Sequence, residues 1–330
     1  MPSSTGPMEP KTATFFDLVR DQIPLVEARM RSTPDHHHPQ LDQAIDQLLS
    51  SGGKRLRPAL TILTGRMLGT DPDKAIGLAA AIEMLHTATL VHDDLIDGSL
   101  IRRGYPTLNA NRTPAVTVLT GDYVFARAAH LASSIGSLTL MDLFARTLMT
   151  IVNGEIVQLF RDSTGDDRQD YFDRIYAKTA SLFELATAGT AILRQANQEI
   201  VEAMRRFGYQ LGMAFQIVDD VLDFTGDEAN VGKPVGSDLR QGLLTLPTLI
   251  YCEGIPDGPA TLDAVRLHRM SAADKDALVQ SIRDSGAIEG ALDEARNAIL
   301  AGETQLEGMP DGQERAALRQ LAQYVVTRSH

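Results

Sequence analysis

The sequence predicts an all-α protein, a single large helical bundle around a central cavity. Apolar residues recur at helical spacing along most of the 330 residues, and no stretch shows the alternating pattern of strands bounded by hairpin turns. With 43% hydrophobic residues, the chain can bury a sizeable core. No stretch has the composition of an interdomain linker. We therefore expect residues 14–330 to form one all-α domain behind a disordered tail of residues 1–13.

Composition restricts the partners and the compartment. The chain has 43 acidic and 31 basic residues and a formal net charge of -12, which argues against non-specific nucleic-acid binding. The single Cys252 cannot form an intramolecular disulfide and fits a reducing compartment. The N-terminus lacks the apolar stretch of a signal peptide, and no apolar run reaches the length of a membrane span. These observations predict a cytoplasmic protein with no nucleic-acid partner and no transmembrane segment.

The first third of the chain contains four predicted helices. Pro24 lies inside the first and is expected to kink or split it. A loop with three histidines, His36 to His38, precedes the second, and we interpret it as a solvated connector rather than a metal site. The predicted helices are Phe15–Met30, Leu41–Leu49, Ala59–Leu68 and Ala75–Asp97.

A basic loop, Gly53–Pro58, lies between the second and third of these helices. It brings Lys54, Arg55 and Arg57 within four residues. Cations are unfavourable at a helix N-terminus unless an anion joins them, and Lys and Arg both bind phosphate. The loop therefore predicts a phosphate site; the alternative is an ordinary basic helix start on the surface.

Two aspartate triplets with the same spacing carry the chemistry. Asp93, Asp94 and Asp97 end the fourth predicted helix, and Asp219, Asp220 and Asp223 repeat the pattern near the end of a later one. Aspartates at i and i+4 share a helix face, where two like charges cost about a few tenths of a kcal/mol. A helix C-terminus is also unfavourable for anions. Carboxylate oxygens without Cys or His partners favour Mg²⁺, which would offset both costs.

The rest of the chain predicts long helices that can aim both triplets at one cavity. Arg102 and Arg103 follow the first triplet, in addition to the basic loop Gly53–Pro58. Such an arrangement would let carboxylates hold Mg²⁺, Mg²⁺ hold a diphosphate, and the basic residues neutralise the remainder. The predicted helices are Ala115–Ser133, Thr139–Arg161, Asp170–Leu193 and Asn197–Phe224, then one beginning at Leu243 and about three more after the turn Gly254–Pro259.

Together these stretches resemble the trans-prenyl diphosphate synthase (polyprenyl synthetase) family. The resemblance implies the isoprenoid synthase fold, a homodimer, and a prenyltransferase that joins isopentenyl diphosphate to an allylic prenyl diphosphate. In that reaction the allylic C–O bond ionises, the double bond of isopentenyl diphosphate attacks, and a proton is lost. The matching segments are Gly53–Pro58, His86–Gly104, Gly121-Asp122-Tyr123, Gly154-Glu155, Lys178-Thr179, Phe215–Asp223, Gly232-Lys233-Pro234 and Thr245-Leu246-Pro247.

The resemblance also implies a role for each site residue. Three Mg²⁺ ions, with Mn²⁺ as a substitute, would bridge Asp93, Asp97 and Asp219 to the allylic diphosphate. Asp94, Asp220 and Asp223 would support them. Thr179 and Gln216 would lie beside the reacting carbons. Isopentenyl diphosphate would be held by Lys54, Arg57, His86 and Arg103, with Arg55 in the same cluster, and the allylic diphosphate by Arg102, Lys178 and Lys233.

Two features bear on competence and product length. Many family members have a lysine where this chain has Leu243, so a diphosphate contact is missing unless Arg240 supplies it. Short-chain members carry an aromatic plug one turn before the first triplet, where this chain has Ala88 and Thr89, with Leu85 below. One helical turn advances about 5.4 Å, close to one isoprene unit. The small residues predict a product longer than farnesyl, with long-chain favoured over geranylgeranyl, unless Tyr123, Phe125 or Phe160 supplies the plug.

Two other functions fit part of the pattern. A terpene cyclase of the same fold would ionise a prenyl diphosphate without a second substrate, but the second aspartate triplet and the Lys54/Arg57 cluster argue against it. A non-catalytic regulatory subunit of a heteromeric synthase tends to lose a triplet, and both are present; Leu243 is the feature that favours it.

Overall fold

The computed structural model describes residues 14–32, 38–50, 52–102, 104–160, 167–226 and 235–328. The predicted disordered tail, His36, His37, Arg103 and Lys233 lie outside the described residues.

The described part of the chain is almost wholly helical, which confirms the predicted all-α class. The first half of the chain contains a two-stranded antiparallel hairpin, and two long helices follow it. The elements are α1 (Phe15–Val19), α2 (Ile23–Arg31), α3 (Pro39–Ser50), α4 (Leu56–Leu68), α5 (Pro72–Ile96), β1 (Ile101–Arg102), β2 (Tyr105–Pro106), α6 (Leu108–Asn111), α7 (Pro114–Ser134) and α8 (Leu138–Leu159).

The second half contains the helix of the second aspartate triplet, α11. The elements are α9 (Asp167–Ile175), a π-helical turn (Tyr176–Ala180), α10 (Ser181–Leu193), α11 (Gln198–Thr225), α12 (Ser237–Arg240), α13 (Leu246–Glu253), α14 (Gly258–Arg266), α15 (Ala272–Asp284), α16 (Ala287–Gln305) and α17 (Gln313–Thr327).

The structure refines three predicted elements. Pro24 splits the first predicted helix into α1 and α2, because it occupies the first turn of α2, where a missing N–H costs nothing. The predicted loop 98–106 contains the short hairpin, with Arg102 paired to Tyr105. The predicted helix Asp170–Leu193 is interrupted by the π turn.

Helix α5 runs through the middle of the core. All its residues from Ala75 to Leu85 are buried, so the helix packs against the core on every side and not along one face alone. Among the described helices it alone has the length and composition of a membrane span, yet 78% of its most apolar window is buried inside the protein. One continuous cluster of buried side chains joins Phe15 at one end of the chain to Val325 at the other.

Candidate active site

The first aspartate triplet lies at the end of α5, as predicted. Asp93 and Asp94 are each only 7% exposed, whereas Asp97 is exposed at the C-cap. Burial raises the pKa of both Asp93 and Asp94, and nearby cations only partly oppose the shift. Asp94 accepts a hydrogen bond from Arg102 Nε at 2.8 Å. The end of α5 is therefore a partly desolvated cluster of carboxylates that needs positive charge.

Lys178 supplies part of that charge. Its Nζ lies 3.1 Å from Asp93 Oδ2 and 2.9 Å from Glu155 Oε1 of α8. Burial alone would lower the pKa of Lys178, but the two carboxylates outweigh burial and raise it. The lysine thus stays charged between α5 and α8.

The π turn that carries Lys178 is held between two glycines. A Cβ on Gly154 of α8 would lie 2.5 Å from Ala177 Cβ, and a Cβ on Gly212 of α11 would lie 2.4 Å from Ala180 Cα. Only glycine lets both helices approach the turn this closely. A π turn also displaces the following side chains relative to a regular helix, which is why such turns are frequent at functional sites.

Thr179, the next residue of the turn, connects to the second triplet. Its Oγ1 donates to Gln216 Oε1 at 2.6 Å, and Gln216 Nε2 donates to Asp220 Oδ1 at 2.8 Å. Tyr171 on α9 donates to the other Asp220 oxygen at 2.7 Å. Burial raises the pKa of Asp220 to about 7. Lys178 therefore contacts the first triplet directly, and the neighbouring Thr179 connects to the second triplet through Gln216.

The other two aspartates of the second triplet have different surroundings. Asp223 accepts from Ser237 Oγ at 2.8 Å and from the backbone N–H groups of Ser237 and Asp238 at 3.2 Å each. Asp223 therefore anchors the start of α12. Asp219 is the more exposed, and one of its oxygens accepts from Arg328 at 2.6 Å.

Sequence reasoning missed three residues of this site: Arg328, Glu155 and Tyr171. The Arg328 side chain is 4% exposed, donates to Phe215 O at 2.8 Å, and lies 3.9 Å over the Phe215 ring. A lone arginine after the last amphipathic helix carries no motif signal, and neither does a tyrosine in an ordinary helix. Glu155 directly follows Gly154 in a segment that matches the family, and this was the one indication in the sequence that it belongs to the site.

The basic loop begins α4, with Arg55 at the N-cap in the left-handed region (φ 47°). Arg55 pairs inward with Glu27 at 2.9 Å and Glu83 at 2.8 Å, so its predicted contact with substrate stays a prediction. Lys54 is exposed, and the Arg57 guanidinium lies 4.9 Å from the Phe183 ring centroid.

The remaining predicted contacts are placed as follows. His86 is half-buried, two turns before Asp93 on α5. Leu243 is half-buried near the α12 turn, and its N–H donates to Asp238 O. Arg240 forms an ion pair with Asp276 of α15 at 2.6 Å. This pairing does not support the idea that Arg240 replaces the lysine that many relatives have at the Leu243 position.

Comparison with known proteins identifies the chain. The family model described as Polyprenyl synthetase matches residues 38–282. The chain belongs to the polyprenyl synthetase family. It is 34% identical to heptaprenyl diphosphate synthase component 2 of Geobacillus stearothermophilus, over 97% of this chain and 100% of that protein. It is 36% identical to the octaprenyl diphosphate synthase of Escherichia coli K12, over 87% and 90% of the two chains.

A solved structure of this family supports the fold. The polyprenyl synthase from Caulobacter crescentus CB15, complexed with calcium and isoprenyl diphosphate, superposes with a TM-score of 0.87 at 33% identity. The match covers 97% of this chain and 99% of that one. The predicted isoprenoid synthase fold is thereby confirmed. As a polyprenyl synthetase, the chain is a prenyltransferase that uses isopentenyl diphosphate and an allylic diphosphate.

The positions predicted to set product length lie in the core of this polyprenyl synthetase. Ala88 and Leu85 are fully buried, and Thr89 is half-buried with its hydroxyl donating to His86 O. Phe160, one alternative plug, is 80% exposed at the end of α8. Phe125 lies beside the His92 ring at the level of the aspartates rather than below them.

The bridge formed by Lys178 generates a prediction. Replacing Lys178 with Met leaves Asp93 and Glu155 without their shared cation. We expect the free energy of unfolding to fall by about 1–2 kcal/mol, less than for a fully buried pair because Lys178 is partly exposed to solvent. Thermal unfolding without divalent cations measures the loss, and added Mg²⁺ should raise the Tm of K178M more than that of the wild type. K74M, at an exposed lysine of α5, is the control; equal Mg²⁺-dependent shifts in K178M and wild type would contradict the role of Lys178.

Proposed function

We propose that this chain condenses isopentenyl diphosphate head-to-tail with an allylic prenyl diphosphate and builds a polyprenyl diphosphate longer than farnesyl. The observation that carries the proposal is the π turn, whose Lys178 contacts Asp93 and whose Thr179 connects to Asp220. It links two oxygen-rich clusters and a cation through one short stretch of chain. This is the arrangement needed to bind and release a diphosphate.

Divalent cations fit the donor set. Asp93, Asp97 and Asp219 would hold three Mg²⁺ ions, with Mn²⁺ as a substitute, and Asp94, Asp220 and Asp223 would support them. Among the described residues, no group of three or more carboxylate, thiol or imidazole side chains is arranged to hold a metal ion by itself. Mg²⁺ usually takes one or two protein carboxylates and completes its shell with water and phosphate. When bound, it would supply neutralising charge to the departing diphosphate.

The protein's own side chains would divide the remaining work. Lys178, Arg102 and Lys233 would bind the allylic diphosphate, and Lys54, Arg55, Arg57, His86 and Arg103 would bind isopentenyl diphosphate. The Arg57 guanidinium lies 4.9 Å from the Phe183 ring centroid and 5.9 Å from that of Phe215, the residue before Gln216. The oxygens of Thr179 and Gln216 would face the reacting carbons. Leu243 leaves one diphosphate contact fewer than in many relatives. We place the reaction in the cytoplasm.

Product length is the first test. The buried Ala88 and Leu85 and the half-buried Thr89 leave no aromatic plug one turn below Asp93. With farnesyl diphosphate, isopentenyl diphosphate and Mg²⁺, we expect products longer than geranylgeranyl by chromatography. A88F should shorten them, while A277F, on the exposed face of α15, should not. A geranylgeranyl end product from the wild type would contradict the long-chain assignment. Hydrocarbon release without isopentenyl incorporation would favour a cyclase.

A homodimer is the second part of the proposal. Helix α8 exposes an apolar stripe at helical spacing, formed by Met149, Val152, Ile156 and Phe160. Large apolar stripes of this kind mark protein interfaces. A second copy of the chain is the partner that the family resemblance implies.

Oligomeric state tests the dimer. The double variant V152D/I156D should elute as a monomer in size-exclusion chromatography with light scattering. Dimer formation would have to bury its two new carboxylates in the interface. L300D changes an exposed leucine on α16 and should leave the dimer intact. A wild-type monomer, or a V152D/I156D dimer, would contradict the proposed interface.

A heteromeric synthase is the second candidate. It is favoured by the relative named component 2, and the α8 stripe would then receive a different chain. Turnover by the purified chain alone decides between them. Activity that appears only on adding a partner would support the heteromer.

A further inference from the structure

We propose that Tyr171 is a positioning residue that fixes, through Asp220 and Gln216, the direction of the Thr179 hydroxyl, so that the lone pairs of Thr179 face the reacting carbons. The inference rests on the prenyl transfer proposed above and deepens it. Tyr171 itself is fully buried on α9.

The four residues form one continuous chain of hydrogen bonds. Tyr171 Oη donates to Asp220 Oδ2 at 2.7 Å, Gln216 Nε2 donates to Asp220 Oδ1 at 2.8 Å, and Thr179 Oγ1 donates to Gln216 Oε1 at 2.6 Å. Tyr171, Asp220 and Thr179 are at most 5% exposed, while Gln216 is half-buried. Water therefore has little access to replace a member of the chain.

The direction of the chain follows from what each group can do. In its ionised form Asp220 only accepts, so it then takes a donor from each neighbour. Gln216 must turn its NH₂ toward Asp220, which leaves its carbonyl oxygen facing Thr179. That oxygen only accepts, so Thr179 must use its single proton there. Thr179 Oγ1 then has only its two lone pairs left to present to the substrate.

This polarity matters for a reaction that develops positive charge. A fixed lone pair stabilises an allylic cation, whereas an O–H directed at it would raise the barrier. Dipoles set before the reaction in a poorly solvated site cost no reorganisation when the charge appears. Tyr171 contributes by holding the second oxygen of Asp220, so the carboxylate cannot rotate and release Gln216.

A double-mutant cycle on kcat tests the inference. The variants are Y171F, T179V and the double variant, assayed with saturating isopentenyl and farnesyl diphosphates. We expect Y171F to lower kcat by about tenfold with little change in either KM, since an indirect effect should be smaller than losing a direct electrostatic contact. In the T179V background, Y171F should alter kcat by less than about twofold, because the Thr179 hydroxyl that Tyr171 orients is gone. T179S, which keeps the hydroxyl, should retain the sensitivity to Y171F.

The controls separate positioning from folding and from metal binding. Y251F removes the hydroxyl of a half-buried tyrosine on α13 and should leave kcat unchanged. Mn²⁺ affinity without substrate should be equal in wild type and Y171F. An equal loss of kcat from Y171F in both backgrounds, or no loss at all, would overturn the inference. If the wild type shows no turnover, the proposed function fails. The inference is then tested by the exchange rate of the Gln216 side-chain amide protons. Y171F should raise that rate, and an unchanged rate would contradict the hydrogen-bond chain.

Discussion

The close approach of α8 and α11 to the π turn is the constraint on which the site depends. Gly154 of α8 and Gly212 of α11 let the two helices contact Ala177 and Ala180 closely. The turn between those contacts carries Lys178 and Thr179, so one rigid segment serves both aspartate motifs. A side chain at either glycine would have to push the turn away. The backbone packing therefore sets the distance between the two halves of the site.

The charges of the site balance only in part within the protein. Lys178, Arg102 and Arg328 each occupy an oxygen of one aspartate, while burial still raises the pKa values of Asp93, Asp94 and Asp220. Asp220 and Asp223 have both oxygens engaged by protein donors. The six carboxylates are thus unequal, because Asp220 and Asp223 organise the surrounding structure with both of their oxygens.

The sequence predicted the helices and the two acidic motifs because both depend on local spacing. Periodicity located α5 and α11, and identical triplets marked their ends. It could not predict the π turn, since nothing local distinguishes Tyr176–Ala180 from a regular helix; the cause is the glycines of two distant helices. Arg328 was missed for the same reason, because its role arises from where α17 ends in space. The Arg55 pairs with Glu27 and Glu83 likewise depend on tertiary packing.

The central claim is that both triplets serve one diphosphate site, and the stoichiometry of bound metal tests it most directly. Mn²⁺ binding is counted by electron paramagnetic resonance, with an allylic thiolodiphosphate that ionises poorly, in wild type, D93N and D219N. The account predicts that the analogue increases the number of bound ions in wild type and that each variant binds fewer. Unchanged stoichiometry in D219N would contradict a shared site.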